Sequence, residues 1–123
     1  MLMEAVKRAQ LAELETIQAL TNFWVNESTV FVRYIIPEDY LIPMTPADQD
    51  YILELNDRDE GVKVVMSGHS IYVVGKMPEA RIRTRAVALA VEERLREVFG
   101  RFKKIRSDDY TYAIQGSHLS LNA

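Results

Sequence analysis

Apolar residues return at Met3, Val6, Leu14, Ile17, Leu20 and Trp24, close to the three-to-four spacing of one helical face. Ala5, Ala9, Ala12 and Ala19 add propensity, so the spacing predicts a helix over roughly Leu2 to Phe23. The period then changes. Thr29 to Ile36 is β-branched and aromatic with apolar residues on both alternating faces, the pattern of a strand inside a sheet, and Pro37 stops it. Thr45-Pro46-Ala47-Asp48 reads as a cap followed by a first-turn proline for a short helix to about Leu55, with Tyr51, Ile52 and Leu55 as its buried side. Val62 to Met66 and Ser70 to Val74 are short apolar runs around Ser67-Gly68-His69, a hairpin. Past Gly75 and Pro78 a long helix is expected from Glu79 to about Phe102, lined by Ala88, Val91, Leu95, Val98 and Phe102, with Glu92/Arg96 and Glu97/Arg101 as four-apart pairs on exposed ground. A last strand is expected over about Asp109 to Gln115.

This order, helix, strand, short helix, strand, strand, long helix, strand, implies an α+β fold: a small sheet of about four strands with helices packed on one face. Residues 1–116 read as one domain and 117–123 as a loosely held tail. At 123 residues and 48% hydrophobic the chain is long and apolar enough to bury a core. The absence of cysteine excludes disulfides, thiolate metal sites and cysteine nucleophiles. No signal-like stretch or membrane-length apolar run stands in the sequence, so a cytoplasmic location is expected.

The net charge of −3 hides a segregation. Residues 1–75 carry 5 basic and 12 acidic side chains, whereas residues 76–106 carry 10 basic and 4 acidic ones. Arg81, Arg83, Arg85, Lys103, Lys104 and Arg106 are the cations expected to meet a nucleic acid or an acidic partner, including the acidic half of another copy. Tyr110 and Tyr112, on one face of the expected last strand, are the candidate stacking or interface pair.

Groups for bond-making chemistry are scarce. Asp57, Asp59 and Glu60 share a loop but lack the later glutamate of a calcium hand, and a solvated loop is the reading. His69 has no acid or second histidine in local register, and Ser117 with His118 falls in the tail. Gly61, Gly68 and Gly75 punctuate strand ends and form no phosphate loop. No catalytic residue, metal site, cofactor or small-molecule substrate is expected.

The stretch from Phe31 to Leu95 resembles a KH-type module: a strand, Ile36-Pro37, Leu41-Ile42, a tight loop, a short helix with Ile52, Gly61-Val62, a hairpin, Gly75 and a closing helix. That resemblance implies single-stranded RNA or DNA binding. The family's Gly-x-x-Gly, which lets backbone approach phosphates, is replaced here by Pro43-Met44-Thr45-Pro46, and proline supplies no N–H. Ile71 to Pro78, followed by a charged helix with Ala86 and Ala90, also resembles BON-like and secretin-periplasmic modules, which implies assembly with protein partners. The expectation is a non-enzymatic module that binds protein or self-associates through sheet edges and segregated charge. Nucleic-acid binding along the basic helix is the alternative, and carboxylate enzymology at Asp57, Asp59, Asp108 or Asp109 a more distant one.

Overall fold

The computed structural model describes residues 2–21, 29–37, 44–58 and 61–107. The elements are α1 (Leu2–Thr21), β1 (Thr29–Ile35), α2 (Pro46–Glu54) running into a 3₁₀ turn (Leu55–Arg58), β2 (Val62–Ser67), β3 (Ser70–Lys76), α3 (Arg81–Phe99) and β4 (Lys103–Arg106). The α+β class and the order of elements are those read from the sequence. The strands form one antiparallel sheet in the order β2-β3-β1-β4. β1 and β3 are the inner strands, paired from Thr29 opposite Lys76 to Ile35 opposite Ser70.

Alternation along these inner strands sends apolar side chains to both faces, and both faces are covered. On one, α2 and α3 pack Ile52, Val87, Ala88, Val91, Leu95 and Phe99 against Tyr34, Ile36, Val62, Val64, Ile71 and Val73. On the other, Leu14 and Ile17 of α1 pack against Phe31, Tyr72 and Val74. The helices therefore do not share one face, as the sequence reading had it. Strands with no polar side need a layer on each side, and α1 supplies the second.

Local signals set the boundaries. Thr45 is the cap of α2, its hydroxyl accepting from the Asp48 N–H at 3.2 Å, and Pro46 opens the helix. Gly68 takes φ +57° in the hairpin turn. Gly75 is required for a different reason: a Cβ there would lie 1.9 Å from Thr84 Oγ1, because the first turn of α3 crosses β3 at that point. Gly100, at φ +75°, ends α3 with its N–H on the Arg96 carbonyl, so the helix stops short of the expected Phe102.

Other expectations are corrected. Val6 and Leu20 are exposed, and the inward side of α1 is Leu14, Ile17 and Thr21 with half-buried Leu11. Leu20 lies about 100° round from Thr21, which takes the buried position. Tyr51 is exposed while Ile52 is buried. The fourth strand is Lys103–Arg106, three of whose four residues are charged, which is why apolar alternation did not disclose it. The strand expected at 109–115 lies outside the described residues, as do Tyr110, Tyr112 and the tail.

Candidate functional site

The buried and half-buried acids are bound into the fold. Glu92 lies inside the α3 face, not on exposed ground, with its side chain only 8% accessible. It accepts from the Tyr34 hydroxyl at 2.7 Å and Lys104 Nζ at 2.8 Å, and pairs with Arg96 at 3.3 Å. Burial pushes its carboxyl up, but the hydrogen bonds from Lys104 and Tyr34, with the charges of Lys104 and Arg96, outweigh that and hold it below its ordinary value. Tyr34 is pushed well up by burial and by the same carboxylate, so it stays a donor. Asp48 accepts from Thr45 at 2.8 Å and from Arg94 at 2.7 Å; the Thr45 bond foremost, and Arg94, keep it low against burial. Arg94 also lies 4.7 Å over the Tyr51 ring, tying α2 to α3.

Across the sheet, Glu13 of α1 pairs with Arg33 and accepts from the Tyr72 hydroxyl at 2.8 Å. Burial, then that bond, pushes Tyr72 up to about 12. Each cluster joins a helix to a neighbouring element with its carboxylate matched by one cation or two, an arrangement suited to holding elements together. Among the described residues, no three of His, Asp and Glu gather closely enough to hold a metal ion.

The six predicted cations fall in two groups. Arg81, Arg83 and Arg85 start α3, while Lys103, Lys104 and Arg106 lie on β4, which follows the helix in sequence and runs back so that Lys104 reaches Glu92. Alternation divides the second group again. Lys104 and Arg106 face the α3 side, where Lys104 holds Glu92 and Arg106 acts electrostatically on Tyr34, and Lys103 faces the other way. His69 is in the hairpin turn, its carbonyl accepting from the Ile36 N–H at 2.8 Å. Met44 to Pro46 supply a buried side chain, the cap and the first residue of α2, with the Asp48 carboxylate beside the cap. Pro43, Asp59, Glu60, Asp108, Asp109, Ser117 and His118 lie outside the described residues.

A surface missed in the sequence stands on the outside of α3. Thr84, Val87, Ala88, Val91, Leu95 and Phe99 are buried, and on the opposite side Ile82, Ala86 and Leu89 follow one another at four- and three-residue steps. Ile82 is 85% exposed and Leu89 51%. Arg81 and Arg85, both exposed, run along one flank a turn apart. The signal was available as a second apolar stripe on the same helix, out of phase with the first. This part of α3 is also poorly made as an isolated helix: Ala80 gives no side-chain cap, the first turn has no acid, and Arg81 and Arg85 are like charges four apart.

No protein-family model, curated protein or solved structure matches this chain. Among the described residues no helix is long and apolar enough to cross a membrane.

Proposed function

We propose that this chain is a non-enzymatic interaction module that docks a protein partner on the outer face of α3. The observation that carries the reading is Ile82, 85% exposed in line with Leu89 and flanked by Arg81 and Arg85. Large apolar side chains in series on the solvent side of a helix cost nothing to replace with polar ones in a free domain, and they gain area only when something covers them. The matching partner surface is an acidic amphipathic helix: its apolar side chains meet Ile82, Ala86 and Leu89, and its carboxylates relieve the Arg81 and Arg85 repulsion. The commitment of Lys104 to Glu92, with Lys103 turned to the other face of the sheet, supports a protein over a nucleic-acid strand.

A photo-crosslinking side chain at position 82, compared with one at exposed Ala12 on α1, tests the reading in the source cells. The expected result is a discrete adduct from position 82 that disappears in Arg81→Glu/Arg85→Glu. An adduct of twice the chain's mass identifies a second copy as the partner. Identical patterns from both positions, or no adduct from position 82, overturn the proposal. So does tight, salt-sensitive oligonucleotide binding that the same two substitutions abolish.

A further inference from the structure

The outer stripe of α3 continues past Leu89. One further four-residue step reaches exposed Glu93, and exposed Arg85 stands four residues before Leu89. Among the described residues neither Arg85 nor Glu93 has an ion-pair partner, whereas Arg94 and Arg96 are held by Asp48 and Glu92. An unpaired cation and an unpaired carboxylate thus lie at equal steps on either side of an exposed leucine. Seven residues from Leu89 in the two directions stand Ile82, 85% exposed, and Arg96, whose side chain keeps 59% of its surface in solvent. Gly100 ends the row with no side chain and open space around it. Laid against its own reverse, this row sets its cation on its carboxylate and its largest apolar side chain on an arginine stem.

We infer that the occupant of this face is α3 of a second copy, laid antiparallel with a two-fold axis at Leu89. The inference rests on the docking reading above and names its partner. Leu89 packs on its counterpart, Arg85 of each copy meets Glu93 of the other, and Ile82 lies along the aliphatic stem of Arg96 beside Gly100. A two-fold interface makes every such pairing twice, so two ion contacts flank the leucines. A parallel alignment would instead bring Arg85 level with Arg85 and Glu93 level with Glu93. The apolar part is small, Ile82, Ala86 and Leu89 from each copy, and falls well short of the ~800 Å² per partner of a standard stable complex. The pair is therefore weak, with a Kd on the order of 100 µM, and sensitive to salt.

Sedimentation equilibrium of the full chain at low ionic strength, from about 10 µM to about 1 mM, provides the first test, and the mean mass is expected to rise from one chain toward two. Arg85→Glu and Glu93→Arg should each weaken the pair about tenfold, and the two together in one chain should restore it, because the exchange reverses both symmetric contacts. The chain has no cysteine, so single cysteines report the alignment directly. Leu89→Cys should oxidise to a disulfide-linked dimer at least about tenfold faster than Ile82→Cys, although Ile82 is the more exposed position, because Ile82 and its counterpart lie about 21 Å apart along the pair. A single-chain mass at the highest concentration, equal linking rates at the two positions, or no recovery in the charge exchange each overturn the inference. The mass of the unmodified chain decides without any variant. A monomer whose position 82 still gives an adduct with a different protein removes the second copy and leaves the docking reading in place, whereas loss of every adduct from position 82 removes both.

Discussion

Replacing Glu92 perturbs the point where α3, β1 and β4 are joined. Its carboxylate receives the Tyr34 hydroxyl, Lys104 and Arg96, but Lys104 and Arg96 keep 30% and 59% of their side chains in solvent. Both cations can turn to water when the carboxylate is removed, so the 3–5 kcal/mol typical of a broken, fully buried pair must be discounted. What is left behind is Tyr34, whose remaining acceptor is the Ala88 carbonyl at 3.3 Å. A weakened bond to a charged group, plus two solvent-screened ion contacts, puts Glu92→Gln at about 1.5 kcal/mol. Glu92→Ala, which also leaves a cavity, is expected near 3 kcal/mol. Urea unfolding of both, with unchanged m-values, measures these differences, and a double-mutant cycle with Tyr34→Phe should show a coupling of about 1 kcal/mol. The sign with pH follows from the depressed folded pKa. The Glu92 contribution is fully present above the ordinary carboxylate range and disappears as pH falls through the folded value, so the gap between the native chain and Glu92→Gln should close below about pH 4. A cost below about 0.5 kcal/mol for Glu92→Ala, or no coupling to Tyr34, refutes the reasoning.

Gly75→Ala places a Cβ 1.9 Å from Thr84 Oγ1 and 2.8 Å from Thr84 Cβ; calorimetry should show a loss of about 3 kcal/mol, only partly restored by adding Thr84→Ala because the Cβ clash persists. Thr45→Ala removes the α2 cap and should cost about 1 kcal/mol in urea unfolding; a carboxyl titration by NMR should find Asp48 moved up toward its ordinary value. The side-chain oxygen of Asn56 accepts the Val64 N–H at 3.1 Å on edge strand β2, so Asn56→Ala should speed hydrogen exchange at Val64 about fivefold while inner-strand amides change little.

Much of the frame was legible because local chemistry and burial agreed. Thr45-Pro46 announced α2, the two apolar runs around Gly68 announced the hairpin, and the inner position of β1 followed from apolar residues at both alternations. The same double alternation already required a second covering layer, which the helix-on-one-face reading overlooked. Charge obscured the rest. Glu92 was assigned to solvent because a glutamate four residues before an arginine usually lies there, and only the folded chain brings Tyr34 and Lys104 to it. β4 was hidden by its lysines, and its pairing depends on a turn at Gly100 whose direction no residue pattern states. For the candidate surface, the arginines were noticed but the apolar stripe between them was not, since the stripe facing the core dominated the periodicity of α3.

Covering both sides of the sheet changes what holds the strands in alignment. In a sheet with one wet side, slipping a strand by one residue turns its oily row toward water, and that penalty sets the pairing. Here β1 or β3 would exchange one oily environment for another, and the usual penalty is blunted. Misalignment is instead punished at a few index marks: Tyr34 would lose Glu92, Arg33 would enter the larger core without Glu13, and the missing side chain of Gly75 would no longer stand opposite Thr84. The reading frame of the sheet is thus carried by three unlike residues, while the valines and isoleucines between them are close to interchangeable.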